Sequence, residues 1–138
     1  MLIYDAENQI AGRLATIIAK KLLEGERIIV VNAEKAIISG DPKMVIRKFR
    51  EKRERGDPHK GPFYPRKPDR IFRRIVRGML PWKKKKGRDA YKRLKVYVGI
   101  PEELKDKKDK FIKTKEADAN KLRTKYISLG EISKALGG

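Results

Sequence analysis

The sequence predicts an α/β domain built on a parallel sheet, with a basic helical and loop excursion in its middle. Three observations carry this. A short apolar run, an amphipathic helical stretch and a β-branched run follow one another between Leu2 and Val31. Turn chemistry punctuates them where a βαβ unit needs it. The positive charge is confined to the segment that follows.

Leu2-Ile3-Tyr4 predicts a first strand. From Ala11-Gly12 onward, Leu14, Ile18 and Leu22 recur every four residues with Ala15 and Ala19 beside them, while Arg13, Lys20, Lys21 and Glu24 fall elsewhere. That period is helical, and Gly25 is a suitable residue just past the helix end. Ile28-Ile29-Val30-Val31 is apolar at every position, as expected of a strand covered on both faces of a parallel sheet. Strand, helix, strand is a βαβ unit, whose crossover is right-handed as a rule.

Asp41-Pro42 opens a second helix, with Asp41 as N-cap and Pro42 at its first position. Val45, Ile46 and Phe49 give it a narrow apolar stripe, and Arg50 to Arg55 is too polar to bury. Residues 56–69 hold Asp57-Pro58, Gly61-Pro62, Pro65 and Pro68, the composition of a stiffened irregular loop. A third helix is expected from about Asp69. Leu94 to Val98 reads as a strand stopped by Gly99 and Pro101. Residues 102–121 are rich in Lys, Glu and Asp and are expected to be exposed or mobile. Tyr126 to Leu129 suggests a short strand, and residues 130–136 a last helical turn or two.

The chain has 138 residues, room for a single domain with a real core. We divide it into residues 1–42, the start of the βαβ core, residues 43–95, a basic RNA-binding region, and residues 96–138, a closing strand and C-terminal tail. The first part carries 5 Lys or Arg against 6 Asp or Glu, the second 22 against 5, the third 10 against 7. Almost all of the formal +19 therefore lies in the middle. Self-repulsion of that kind opposes compaction unless a polyanion screens it, and nucleic acid is the leading candidate.

Other classes recede. Without cysteine, neither a disulfide framework nor a thiolate zinc site is available. No apolar run approaches the roughly 18 residues of a membrane span, and the first residues lack the layout of a signal peptide. A cytoplasmic protein is expected, with no membrane partner.

Residues 70–80 carry the chemistry. On a helix at about 100° per residue, Arg70, Arg73, Arg74 and Arg77 share one face. Ile71, Phe72, Ile75, Val76, Met79 and Leu80 fill the other. A charged helix face usually means only solvation, but no Asp or Glu interleaves with these arginines, so they repel one another unless an anion lies across them. Arginine also suits bidentate phosphate contacts and stacking on bases.

Lys83-Lys84-Lys85-Lys86 follows Pro81-Trp82 and suits a loop reaching several phosphates, with Arg88, Lys92 and Arg93 just beyond. Trp82 either stacks on a base or packs into the core beside Met79 and Leu80. The stretch Lys60 to Lys67, with Arg66, Phe63 and Tyr64, mixes basic and aromatic residues in a proline-stiffened loop.

Enzymatic signals are weak. His59 is the only histidine. Gly12 lies between a strand and a helix, yet neither G-x-G-x-x-G nor G-x-x-x-x-G-K-[ST] is present. Glu51, Glu54, Asp57, Asp69 and Asp89 are scattered among cations rather than clustered as a metal-dependent nuclease requires. No catalytic residue, metal ligand, cofactor or small-molecule substrate is expected.

Several stretches make the sequence recognisable: Gly12-Arg13-Leu14-Ala15, Val30-Val31-Asn32-Ala33-Glu34, Ser39-Gly40, and Gly61-Pro62-Phe63 through Arg77-Gly78-Met79-Leu80-Pro81. Gly87-Arg88, Leu94-Lys95-Val96-Tyr97 and Gly99-Ile100-Pro101 continue them. Over residues 1–101 the chain resembles the ribosomal protein L13 family (the universal uL13 family). Where bacterial members carry a His-Pro-His segment, this chain has Gly99-Ile100-Pro101-Glu102-Glu103, similar to the archaeal and eukaryotic branch.

The resemblance implies a three-layer α/β/α domain with a small, mostly parallel sheet. It implies a structural constituent of the large ribosomal subunit that binds and organises 23S rRNA during assembly, beside neighbouring large-subunit proteins and without catalysis. The rRNA contacts it implies are Lys60, Arg66, Lys67, Arg70, Arg73, Arg74, Arg77, Lys83, Lys84, Lys85, Lys86 and Arg88. The basic residues Lys92 and Arg93 extend that set. The same basic surface would also serve an extraribosomal RNA-binding regulator of translation.

Overall fold

In the computed structural model, which describes residues 1–54 and 65–137, the first three elements are those the apolar pattern predicts. They are β1 (Leu2–Asp5), α1 (Ala11–Leu23) and β2 (Ile28–Val31). β1 and β2 pair in parallel with Leu2 opposite Ile28 and Tyr4 opposite Val30. The end of α1 is a Schellman turn. Gly25, at φ +99°, donates its N–H to the Leu22 carbonyl, and the Glu26 N–H reaches the Lys21 carbonyl.

β3 (Ile37–Ser39) and α2 (Pro42–Glu54) follow. Asp41 caps α2 through its side chain, which accepts the Lys43 N–H at 3.0 Å. Val45 and Phe49 are buried and Ile46 packs beside them. Beyond residues 55–64 come α3 (Pro68–Arg77), α4 (Lys85–Lys92) and β4 (Leu94–Val96). The chain closes with β5 (Phe111–Ile112), β6 (Tyr126–Ser128) and α5 (Leu129–Ala135).

The main sheet has the order β4-β2-β1-β5 and every pairing in it is parallel. β3 and β6 form a separate antiparallel pair. Strand alternation divides the side chains between two faces. Tyr4, Ile28, Val30, Leu94 and Val96 face the main core with Leu14, Ile18 and Leu22 of α1 and Ile71, Phe72 and Val76 of α3. Ile3 and Val31 face the other way and are closed over by Leu104. The third layer is thus not an α-helix but the 3₁₀ segment Glu102–Lys110.

This corrects the expectation for residues 102–121. Their surface is polar, but Leu104, Ala117 and Ala119 are buried, and Phe111-Ile112 adds the edge strand β5 beside Ile3 and Tyr4. The strand predicted over Leu94 to Val98 also stops early, at Val96. Past that point the Asn32-Ala33-Glu34 turn takes over the hydrogen bonds. Asn32 and Ala33 donate their N–H groups to the Gly99 and Tyr97 carbonyls. The Glu34 carboxylate accepts the Gly99 N–H, and the Asn32 amide donates to Asp5 Oδ1. The C-terminal ends of β1, β2 and β4 are stitched together there.

Candidate nucleic-acid interface

α3 begins with Pro68 at its first position and Asp69 in its first turn, where a carboxylate favours the helix dipole. Burial of Ile71, Phe72 and Val76 against α1 fixes its rotation. Arg70 is left exposed, and Arg73, Arg74 and Arg77 are half-buried along the same outer side. Among the described residues, none of the four pairs with a carboxylate. Asp69 stands one turn ahead of Arg73 without pairing to it.

The helix ends at Arg77, so Gly78, Met79 and Leu80 form a turn rather than its last residues. Leu80 is buried as expected. Met79 is not: it is 41% exposed, and its sulfur receives the Thr16 hydroxyl at 3.5 Å. The turn swings its side chain out of the helical register that had assigned it to the core.

Two of the arginines are held by aromatic rings. The Arg73 guanidinium lies 4.5 Å over Tyr91 and that of Arg77 lies 4.1 Å over Trp82. The two rings meet edge to face at 5.2 Å and 80°. Trp82 is therefore not a core residue. It belongs to a ladder, Arg73-Tyr91-Trp82-Arg77, in which each cation–π contact contributes roughly 0.5–2 kcal/mol depending on desolvation. Arg73 Nε is buried and has no hydrogen-bond partner among the described residues. Tyr91 escaped sequence reasoning because it lies nine positions beyond Trp82 and only the turn into α4 brings the rings together.

The lysine run is half helical, which corrects the loop expected for it. Lys84 is the N-cap of α4, and Lys85 and Lys86 lie in its first turn. All four lysines are exposed and no acidic residue lies in the first turn of α4. Positive charge at a helix N-terminus opposes the dipole by about 0.3–1 kcal/mol per group, so packing must hold this helix in place. Gly87 supplies it: a Cβ there would stand 2.1 Å from the Pro81 carbonyl oxygen. Arg88 turns back to donate to the carbonyls of Trp82 and Lys83 at 3.2 and 3.3 Å.

Arg66 and Lys67 are exposed where the chain enters α3. Lys60, His59, Phe63 and Tyr64 lie outside the described residues. Lys92 is exposed, whereas Arg93 is half-buried and donates to the Leu22 carbonyl at the end of α1. A second basic cleft, missed in the sequence, opens where β2 and β4 begin. Arg27 and Lys95 line it with Lys92, Arg93 and Met1 around about 260 Å³. The alternation of Lys95 with Leu94 and Val96 was its one visible signal.

The face from α3 to α4 thus offers planar guanidinium groups, point-charge ammonium groups and a half-buried indole, and among the described residues neither Asp69 nor Asp89 forms an ion pair with them. That chemistry suits phosphates and bases. Among the described residues no cluster of three or more His, Cys, Asp or Glu is arranged to hold a metal ion, and no helix is long and apolar enough to cross a membrane.

Residues 1–103 match the model of the family described as Ribosomal protein L13. The chain is 53% identical to the large ribosomal subunit protein uL13 of Archaeoglobus fulgidus over 98% of its own length and 86% of that relative. It is 52% identical to uL13 of Methanopyrus kandleri over 98% of the chain and 86% of the relative. For uL13 of Methanosarcina barkeri the figures are 52%, 99% and 98%. The similarity extends through the tail beyond residue 101, where the motifs had been thinner. The chain belongs to the ribosomal protein L13 family.

Proposed function

We propose that this chain, a structural and non-enzymatic protein of the large ribosomal subunit, binds and organises 23S rRNA through its α3–α4 face during assembly. One observation carries the reading. Arg70, Arg73, Arg74, Arg77 and Lys83 to Lys86 lie on α3 and around the start of α4, and among the described residues no carboxylate pairs with any of them. Uncompensated cations on packed elements cost stability in the free protein, and closely spaced phosphates remove that cost.

Within the face the roles divide. Arg66, Lys67, Arg70, Arg74, Lys83 to Lys86 and Lys92 meet phosphates, joined by Lys60. Arg73 and Arg77 present planar groups already stacked on rings. Arg88 and Arg93 act chiefly on the protein itself, through the carbonyls they bind. Residues 1–138 act as one domain, with neighbouring large-subunit proteins meeting its other surfaces.

Titration of large-subunit rRNA fragments against salt tests the reading. Counterion release predicts a steep linear fall of log K with log salt, about 0.7–0.9 per phosphate contact. Near-constant affinity between low and moderate salt would overturn it. Replacing Lys83 to Lys86 by Ala should weaken binding while leaving the thermal stability of the free protein equal to or above the parent's. Sedimentation should find the endogenous protein with the large subunit; a large free pool would favour a regulator acting elsewhere.

A further inference from the structure

Beside the Arg77–Trp82 pair lies a cleft of about 280 Å³ lined by Arg74, Arg77, Gly78, Leu80 and Trp82. Its walls differ from those of an ordinary phosphate site. Phosphate needs donors and positive charge, which Arg74 and Arg77 supply. It has no use for an indole ring or for Leu80, which also line the cleft. A flat, partly apolar ligand with polar edges uses all of them. Gly78, in the same lining, is exposed.

The platform is also preorganised. Tyr91 meets the Trp82 ring edge on at 5.2 Å. The Arg88 guanidinium holds the Trp82 carbonyl, and Gly87 seats α4 against Pro81. The indole therefore has little rotamer freedom left to lose on binding, which raises the affinity obtained from a given contact. The Arg77 guanidinium already lies 4.1 Å over the ring centroid, and guanidinium groups stack on π-systems.

We propose that this cleft is a binding site for a single unpaired nucleobase of RNA, stacked on the Arg77–Trp82 pair with Arg74 at its polar edge. The inference rests on the RNA-binding reading above and adds to it a contact to a base, where the rest of the face contacts phosphate. It makes the protein a reader of a looped or bulged nucleotide as well as of backbone charge.

Trp82 is the only tryptophan, so its emission reports on this cleft alone. The full chain is titrated with two single-stranded RNA heptamers of the same length, one carrying all its bases and one abasic at its central positions. Stacking of one base is worth about 1–3 kcal/mol, so the base-bearing RNA should bind at least about five-fold more tightly. It should shift Trp82 emission in a saturable way that the abasic RNA does not reproduce. Arg77→Lys keeps the charge and removes the planar group, and should bring the base-bearing RNA down to the abasic affinity. Equal affinities and equal emission changes for the two RNAs would overturn the base site while leaving RNA binding intact. Failure of both RNAs to bind would overturn the RNA-binding reading itself.

Discussion

Gly87 sits against Pro81 so closely that a methyl group on its α-carbon would stand 2.1 Å from the Pro81 carbonyl oxygen and 2.5 Å from the carbonyl carbon. Backbone cannot swing aside as a side-chain tip does. Gly87→Ala should therefore force α4 away from the preceding turn and destabilise the protein by about 1–3 kcal/mol, the usual range for overpacking. Because α4 carries Tyr91 and the lysines, the same change should weaken RNA binding. Urea unfolding and an RNA titration measure the two effects. A variant as stable as the parent would mean that α4 is not seated on Pro81.

Gly12 makes the opposite case. It lies in the first turn of α1, and a Cβ built on it meets nothing within 4 Å. Gly12→Ala should stabilise the free protein by roughly 0.4–1 kcal/mol, through lower chain entropy in the unfolded state and better helix propensity. Whatever favours glycine there is then a matter of the assembled particle. A loss of stability in urea unfolding would show that the position is constrained within the chain.

Sequence reasoning succeeded where a local rule and the final packing agree. The β-branched run Ile28 to Val31, the four-residue recurrence in α1, the Gly25 turn and the Asp41 cap are each dictated by neighbours within one turn or strand. It failed where distant partners decide. Phe111 and Ile112 are two apolar residues in a lysine-rich stretch, and only the open edge of β1 makes them a strand. Leu104 is a single buried residue in a 3₁₀ segment with no period to detect. In the site, the arginine stripe was legible because helical period alone displays it. The pairing of Arg73 with Tyr91 and of Arg77 with Trp82 was not, because it depends on how α4 returns toward α3.

The Glu34 carboxylate accepts the Gly99 N–H with both oxygens at 3.0 Å. This charged hydrogen bond joins the 3₁₀ turn after β2 to the chain leaving β4. Its removal in Glu34→Ala should cost about 1.5–3 kcal/mol. Glu34→Gln, which keeps one acceptor oxygen, should lose clearly less. Thermal unfolding of the two variants side by side gives the comparison, and equal losses would mean that Glu34 acts through packing alone.

Tyr4 supplies a pH dependence. Burial in the core raises its phenol above the ordinary value of 10.0. The Lys21 charge pulls it down, and Glu26 and Glu24 push it up. The folded state thus favours the neutral phenol, and the unfolded chain releases the proton first as pH rises. The resulting stability is fully present below pH 10 and is lost as pH climbs from there through the raised folded value. Tyr4→Phe has no such proton, so the stability difference between parent and variant should be flat at neutral pH and should swing toward the variant in alkaline solution. Parallel curves through the alkaline range would mean that the phenol titrates alike in both states.

Arg88 and Lys86 are two positions apart on α4, yet the geometry separates their roles. Lys86 is exposed and, among the described residues, free of ion pairs, so Lys86→Ala should reduce the slope of log K against log salt by about one contact and weaken RNA binding alike for all sequences. Arg88 donates to the Trp82 and Lys83 carbonyls and so shapes the turn that presents them. Arg88→Ala should leave the slope nearly unchanged while lowering affinity and altering Trp82 emission in the free protein. If both variants reduced the slope equally and left free-protein emission untouched, Arg88 would be a phosphate contact like its neighbour. The salt slope therefore distinguishes a cation that meets RNA from one that positions the groups which do.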